Sequence, residues 1–516
     1  MKPRKVSVAA PSRVVVNRGA AARVFAWGSR VSDSASASAT RVDLSGRQVV
    51  IWSAYTVLAI AMIWSRFAAI GKSLWEDEIF TVQHYVVPGP SASFGHYGTN
   101  DHILFSVLAW LTVHLPSAGD SAYRLWSIVP FIAAVAILTG WLHRRAGVVV
   151  ALIFALLATA STQLLILSTE ARGYGLAFLA MALLTIAAYE ASAQESSGWL
   201  SLFAAAGVLG CWTLPTFVLP LAGASGVLLI QRHLRRRLLN RLAAVCFAVG
   251  GWYAIPAPAL IHSSGQQFGA RLAWHGPITG GATEFATAFI PTISLLGGLL
   301  AAVPVLVFGL FAARRAMPHI VTVTVAPVIF TFFVLTLGRL FVEPRFVSYL
   351  LVPIFIWAAF GFKALLTPRS SRSWIAAACY SGSMLSIIAG LFVPSAAIVA
   401  RLPEEANREA ADAVAATLKN ATRPVILNTE HPENILYYLP KHVAVLRAPP
   451  GGLEDFICSR RFEITGLIFV QQPFLVDLVD TSCLVRHGGK VRVFRQWGRG
   501  LRISVWEIPP EAVVRK

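Results

Sequence analysis

Long apolar runs, separated by short polar connections, make up most of the 516-residue chain. Many runs are about 20 residues long, the length that an α-helix needs to cross the ~30 Å hydrocarbon core of a bilayer. They lack the alternation of apolar and polar positions that barrel strands show. The pattern predicts an all-α polytopic membrane protein with about eleven spans, at residues 49–70, 121–142, 148–168, 174–191, 199–214, 216–231, 241–261, 286–313, 318–338, 346–366 and 374–394.

The two ends of the chain differ from the apolar region 49–394. Residues 1–48 carry nine Lys or Arg, two acids and the run "VSDSASASAT", which predicts a disordered basic tail, with a transit peptide as the alternative. Residues 395–516 contain the strand-like segments "RPVILNTE" and "ITGLIFVQQ" and the amphipathic "EEANREAADAVAATLK". They predict a small α/β domain outside the membrane, without the Gly-rich motif of a nucleotide site.

The net charge of +19 does not indicate nucleic-acid binding, because the basic residues cluster in the short connections between apolar runs. Cytoplasmic loops carry such an excess of Lys and Arg. The clusters share one face if the N-terminus is cytoplasmic, and an odd number of spans then places the C-terminal domain in the periplasm. The bacterial inner membrane is the preferred location, with the endoplasmic reticulum as the alternative. The basic clusters are Arg144 and Arg145, "QRHLRRRLLNR", Arg314 and Arg315, and Lys363, Arg369 and Arg372.

The first outer loop, about residues 71–120, is the most polar outward segment between spans. Its segment "HILFSVLAWLTVHL" is too short to span and predicts an interfacial or re-entrant helix. Acids beneath such a helix can accept a proton from a hydroxyl nucleophile or bind a divalent cation, and a solvated charged loop is the alternative. The polar residues of the loop are Lys72, Glu76, Asp77, Glu78, His84, His96, Asn100, Asp101 and His102.

Two further outward segments carry charge where apolar runs end. In "STEARGYG", Glu170 and Arg172 are two residues apart, so on one helix they point apart and each is expected to meet another helix or a ligand. In "GRLFVEPRFVSYLLVPI", Arg345 follows Glu343, and a guanidinium suits the planar, forked recognition of phosphate. Anchoring to lipid headgroups is the alternative for both arginines.

Four segments resemble, in matching order, those of the GT-C glycosyltransferases. The closest group is the protein O-mannosyltransferase-like group, which includes the lipid A aminoarabinose transferases (glycosyltransferase family 39-like). "SLWEDEIF" resembles the acidic "DE" motif of these enzymes, and "NDHILFSVLAW", "STEARGYGLAFL" and "EPRFVSYLLVPI" resemble the segments that follow it. The resemblance covers about residues 49–394. Two departures are Glu76, where an apolar residue is frequent, and Asp101, which is insertion-like.

The resemblance implies a membrane glycosyltransferase that moves a sugar, with inversion, from a polyprenyl-phosphate donor to a lipid, glycan or protein acceptor on the outer face. Asp77 would be the general base or a metal ligand, and Glu78 would support it. The donor phosphate would be held by Arg172, Arg345 and Lys72. Supporting roles would fall to Glu170, Asp101, His102 and Glu343. A divalent metal is left open, with Asp77 and His102 as candidate ligands.

Several properties stay open at the level of sequence. A transporter or flippase of lipid-linked saccharides is the main alternative, and it predicts charges near the bilayer midplane and paired broken helices. A membrane scaffold is a second one. The sugar and the acceptor are not indicated. Cys458 and Cys483 could form a disulfide in an oxidising compartment.

Overall fold

The computed structural model describes most of the apolar region and parts of the C-terminal region. The described residues are 46–95, 101–115, 119–194, 196–258, 289–290, 293, 296, 299–337, 344–366, 406–418, 425–428, 432–441, 443, 445–447, 468–471, 490–495 and 502–507. Most of the predicted basic tail, the predicted span 374–394, Glu343, Cys458 and Cys483 lie outside them. The chain divides into two compact units, Met1–Ser53 and Ala54–Lys516. The predicted domain boundaries stay predictions.

The first long helix and the first outer loop come next to each other in the chain. Helix α1 spans Gly46–Ala68. In the loop, α2 spans Glu76–Thr81 and continues as a π-helical turn over Val82–Val86. The loop then forms α3 over Pro90–Gly95 and α4 over Ile103–Val113. At 11 residues α4 is too short to span, which agrees with the predicted interfacial or re-entrant helix.

The remaining described helices of the apolar region follow in chain order. They are α5 (Asp120–Ala146), α6 (Val148–Ala160), α7 (Thr162–Thr169), α8 (Tyr174–Gln194), α9 (Ser197–Thr213), α10 (Val218–Ile230), α11 (Arg232–Ala254), α12 (Leu299–Ala316), α13 (Pro318–Leu337) and α14 (Leu351–Leu366). Short 3₁₀ turns at Pro215–Phe217 and Pro344–Leu350 precede α10 and α14.

Five of the described helical segments are long and apolar enough to cross a membrane, and the bent pair α6–α7 adds a sixth if it forms one span. The chain is therefore a mostly helical integral membrane protein. The predicted number of eleven is not confirmed, because α9 and α10 are shorter apolar helices and several predicted spans extend beyond the described residues. Eleven spans stay a prediction.

The break between α6 and α7 has a local cause and is contacted by a buried arginine. The two helices meet at Ser161 with a bend of 65°, and the Ser161 hydroxyl accepts the Leu164 N–H to cap α7. The fully buried Arg66 donates to the carbonyls of Ala158 and Thr159, each at 3.1 Å. A cation stabilises the carbonyl end of a helix, so Arg66 supports the bend that aims α7 toward the first outer loop.

Helix α8 lies inside the helical region, because it is apolar all round and most of its residues are buried. It packs closely against α5 at Gly175. A Cβ atom there would stand 1.9 Å from the carbonyl oxygen of Ser127. Only glycine allows this approach between α8 and α5. The contact fixes where α8 begins, directly after residues 170–173.

The C-terminal region forms a five-stranded sheet. Its elements are α15 (Asn407–Leu418), β1 (Val425–Asn428), α16 (Pro432–Leu436), β2 (Val445–Arg447), β3 (Ile468–Gln471), β4 (Lys490–Arg495) and β5 (Arg502–Glu507). The strand order is β2-β1-β3-β5-β4, with β1 parallel to β2 and β3, and β5 antiparallel to β3 and β4. Buried alanines of α15 pack against the apolar residues of β1 and β5. The predicted strands and helix are present, and the location of this sheet outside the membrane stays a prediction.

Candidate active site

Glu78 fixes the start of the first outer loop. It is the third residue of α2 and accepts the N–H of Trp75, the residue that precedes the helix, at 3.0 Å. Arg124 of α5 donates to it twice, from Nε at 3.1 Å and from Nη2 at 2.8 Å. The backbone N–H of Ala171 donates to the same carboxylate. Glu78 is 1% exposed, so it joins α2, α5 and the segment after α7 in one buried ion pair.

Arg124 extends this anchor along the chain before α2. Its guanidinium also donates to the backbone carbonyls of Ile70, Lys72 and Ser73, at 3.2, 2.6 and 2.9 Å. A planar guanidinium has five donors in a fixed geometry, which suits this combination of a carboxylate and several carbonyls. The segment that enters α2 is therefore held on one side chain of the neighbouring helix.

Asp77 accepts hydrogen bonds from two arginines that are far away in sequence. Its Oδ2 atom lies 2.6 Å from Nη1 of Arg172 and 2.7 Å from Nη2 of Arg345. Arg172 is fully buried, whereas the Arg345 side chain is 22% exposed and lies over the ring of Trp75 at 5.0 Å. One carboxylate between two guanidiniums leaves the group with a net charge of about +1 at neutral pH.

His102 completes this cluster. Its Nδ1 accepts the backbone N–H of Gly173 at 2.8 Å, and its Nε2 lies 3.2 Å from Nη2 of Arg172. Burial lowers the pKa of His102 well below its usual value, and the charges of Arg172 and Arg345 lower it further. Because Nδ1 accepts the Gly173 N–H, this hydrogen bond requires a neutral histidine, whose single ring proton is then on Nε2. Gly173 has to be glycine, because a Cβ there would stand 2.5 Å from Cγ2 of Thr213 and 2.9 Å from Nδ1 of His102.

Asp101 lies next to this histidine and is 1% exposed. Its Oδ1 accepts the Ser106 hydroxyl at 2.6 Å, and Oδ2 has no hydrogen-bond partner among the described residues. Burial raises the pKa of Asp101 to about 7, against the opposing effects of nearby hydroxyls and of Arg172. Asp101 can therefore change its protonation state near neutral pH, unlike an exposed aspartate.

The cluster does not fit a divalent cation in this arrangement. Oδ2 of Asp77 already contacts two guanidiniums, and their positive charge repels a metal cation. Both ring nitrogens of His102 face N–H donors. Among the described residues no group of three or more His, Cys, Asp or Glu is placed to hold a metal ion. The arrangement suits an anion instead, because it offers guanidinium donors and excess positive charge.

The structure brings most of the predicted site residues together. Asp77, Arg172, Arg345 and His102 share direct contacts, and Asp101 follows next to them. Glu78 is buried one residue away and contacts Arg124 and not the cluster. Glu170 is buried at the end of α7, where its backbone carbonyl accepts the Arg172 N–H at 2.8 Å. Lys72 is half-buried and accepts from Arg124 through its backbone carbonyl. Glu343 lies outside the described residues.

Arg124 and Trp75 are the residues that the sequence analysis missed. A signal for Arg124 existed, because an arginine in the first turns of an apolar span needs a partner. The sequence did not indicate which acid, since Asp101 and Asp120 are nearer to Arg124 along the chain than Glu78. Trp75 gave no signal of its own, since tryptophan is common at membrane interfaces. Its position under Arg345 depends on the approach of α14 to α2.

Comparisons with known proteins agree with this architecture. Comparisons of the sequence with protein-family models and with curated proteins find no match. Among solved structures, that of ArnT from Cupriavidus metallidurans in the apo state matches with a TM-score of 0.51 at 13% identity. The match covers 91% of this chain and 99% of that one. This chain has the fold of ArnT.

Two further structures align with lower scores. ArnT from Cupriavidus metallidurans bound to undecaprenyl phosphate gives a TM-score of 0.48 at 14% identity, over 90% of this chain and 98% of that one. The cryo-EM structure of arabinofuranosyltransferase AftD from Mycobacteria gives 0.29 at 13% identity, over 88% and 40%. Both scores lie below 0.5 and add nothing to the assignment. The ArnT fold is in line with the fold that the sequence resemblance implied.

Proposed function

We propose that the protein is a membrane glycosyltransferase, which moves a sugar from a polyprenyl-phosphate donor to an acceptor hydroxyl on the outer face of the membrane. One observation carries the proposal: Asp77 lies between two guanidiniums beside a neutral histidine, in a chain with the fold of ArnT. A carboxylate can take the acceptor proton, and guanidiniums can hold the donor phosphate.

The proposed step is a single displacement. The acceptor oxygen forms a bond to the anomeric carbon, and the bond from that carbon to the phosphate oxygen breaks with its electron pair. The acceptor proton passes to Asp77, and the polyprenyl phosphate leaves with one more negative charge than it had in the donor. Attack opposite the leaving group inverts the configuration at the anomeric carbon.

The charges of the cluster match this step. The donor is a phosphodiester with a charge of about −1, and the released monoester approaches −2. When Asp77 takes the proton, the charge of the cluster rises from about +1 to about +2. Cationic charge therefore increases in the site as negative charge develops on the phosphate, which stabilises the transition state more than the bound donor.

Arg345 is the side chain that we propose to meet the donor first. It is the most exposed member of the cluster, whereas Arg172 is fully buried. When a phosphate takes over guanidinium donors from Asp77, the carboxylate loses ion pairs and becomes a better proton acceptor. Donor binding thus prepares the base, without any large movement of the buried Arg172.

The flippase alternative predicts paired broken helices, and the described residues contain one broken pair, α6–α7, without a second one to match it. It also predicts charged residues near the middle of the spans. The buried charged residues of the described spans are Arg66, Asp120, Arg124 and Glu190, and each lies within five residues of a helix end. Charge at the helix ends suits a site at the membrane surface.

The proposal is tested with purified protein in nanodiscs and a panel of radiolabelled polyprenyl-phosphate sugars, with crude membrane extract as the source of acceptor. We expect cleavage of one sugar–phosphate bond by the wild type and its loss in Asp77→Asn. Asp412→Asn, the same change at an exposed position of α15, is the matched control and keeps activity. The unfolding midpoint of each variant shows whether it is folded.

Two results would contradict the proposal. Wild-type turnover in a folded Asp77→Asn variant would remove Asp77 as the base. Tight binding of a donor without cleavage, in the presence of acceptor extract, would favour the flippase.

A further inference from the structure

A polar cavity lies where the C-terminal region contacts the first turn of α5. Its volume is about 590 Å³, within the ~300–1,000 Å³ of small-molecule sites. It is lined mainly by Asp120, Tyr123, Arg408, Tyr437 and Tyr438. Neither Arg172 nor Arg345 lines it, so it is distinct from the cluster around Asp77.

The charges of this cavity cancel. Asp120 accepts from Arg408, and it also accepts the Tyr438 hydroxyl at 2.7 Å. Burial, with the nearby charge of Asp120, raises the pKa of Tyr437 and Tyr438, so both stay neutral. A cavity without net charge does not select a phosphate, and one with a carboxylate, a guanidinium and hydroxyls does not suit an acyl chain.

The aromatic side chains offer both a flat surface and polar edges. Tyr437 and Tyr438 meet edge to face, with ring centroids 4.8 Å apart. The guanidinium of Arg408 lies 5.2 Å from the centre of the Tyr438 ring and occupies one of its faces. Among the described residues the Tyr437 hydroxyl has no hydrogen-bond partner. Tyr437 is half-buried and packs in part against the apolar cluster that includes Leu74, and the part of it that lines the cavity is available to a ligand.

We propose that this cavity binds a neutral sugar ring of the acceptor. A sugar ring has a C–H face that packs against an aromatic ring, and hydroxyls that donate and accept hydrogen bonds at once. Tyr437 provides the ring, and Asp120 and Arg408 provide the acceptor and the donors. Assigning the sugar to the acceptor rests on the proposed function, since the donor sugar is joined to the phosphate held at Arg172 and Arg345.

One short segment of chain connects the cavity to Asp77. The Tyr438 hydroxyl accepts the N–H of Leu74 at 2.6 Å, and Arg408 donates to the carbonyl of Gly71 at 3.0 Å. Leu74 comes two residues before α2. A sugar bound beside Tyr437 would thus lie against the same segment that positions the proposed base.

The test measures binding alone, with protein in nanodiscs and saturation-transfer NMR. The probes are methyl α-D-glucopyranoside, methyl α-D-mannopyranoside and methyl α-L-arabinofuranoside. We expect transfer to at least one glycoside, and a Kd about fivefold or more weaker in Tyr437→Ala. The matched control is Tyr55→Ala in α1, where Tyr55 bonds to His143, about 35 Å along α5 from Asp120. Its Kd stays within about twofold of the wild type.

A further variant separates this inference from the proposed function. In Asp77→Asn we expect unchanged glycoside binding, whether or not the protein transfers sugar. No transfer to any of the three glycosides, or an unchanged Kd in Tyr437→Ala, would overturn the inference. Loss of binding in Asp77→Asn would overturn it too, because the glycoside would then bind at Asp77 and not in this cavity. If Tyr437→Ala lowers the unfolding midpoint, Tyr437→Leu gives the same comparison with the bulk retained.

Discussion

The ion pair between Glu78 and Arg124 offers the sharpest test of how the first outer loop is held. Glu78→Gln removes a negative charge and replaces one acceptor oxygen by an NH₂ group. The carboxylate receives hydrogen bonds from four N–H groups, two of Arg124 and those of Trp75 and Ala171. In the variant the new NH₂ group faces N–H donors, and Arg124 stays buried without its counter-ion.

The expected size of the effect follows from burial. The side chains of Arg124 and Glu78 are 4% and 1% exposed, and their closest atoms are 2.8 Å apart. Removal of one partner of such a buried pair costs about 3–5 kcal/mol. Arg124 retains its three backbone carbonyls, so we expect a loss near the lower end, about 3 kcal/mol.

The assay is equilibrium unfolding in mixed micelles, with the thermal midpoint as a second readout. Glu76→Gln is the matched control, because Glu76 lies two residues earlier in the same turn and is only half-buried. It should change stability by less than about 1 kcal/mol. The double variant Glu78→Gln with Arg124→Met removes both charges, and we expect it to recover ~1–3 kcal/mol relative to the sum of the single changes. Additivity of the two changes within ~0.5 kcal/mol would refute a direct ion pair.

Three further predictions concern the cluster itself. Between about pH 4 and 7 the unfolded chain ionises Asp101, whereas the folded chain, in which the pKa of Asp101 is about 7, keeps the proton. The contribution of Asp101 to stability therefore falls by up to about 4 kcal/mol as the pH rises across this range, while His102, whose pKa is lowered, contributes in the opposite direction below its ordinary pKa. Asp101→Asn should lack that slope in unfolding measured against pH, and an unchanged slope would exclude the buried carboxyl as its source. Gly173→Ala should reduce turnover about 10–100-fold by displacing His102, and wild-type kinetics with a retained unfolding midpoint would show that the contact is dispensable. Arg345→Ala should raise the KM of the donor, and an effect confined to the acceptor KM would count against phosphate binding by Arg345.

Apolar runs of spanning length were sufficient to predict a polytopic helical protein, because helix length in a bilayer is set by its thickness. The sequence also indicated that charges cluster outside the spans and that "SLWEDEIF", "STEARGYG" and "EPRF" belong to one face. The short helix α4 and the strands β1 and β3 were visible as patterns too. Each of these features depends on neighbouring residues in the chain, so one sequence is enough to detect it.

Only the tertiary structure decided which charges meet. Asp77 and Arg172 are 95 residues apart, and Arg345 comes from a third part of the chain. Which acid pairs with Arg172 and which with Arg124 depends on helix rotation, on the bend at Ser161 and on the close approach at Gly175. A rotation of one residue, about 100° on a helix, would exchange the environments of Asp77 and Glu78. The order of residues along the chain does not contain that angle, because packing between distant helices sets it.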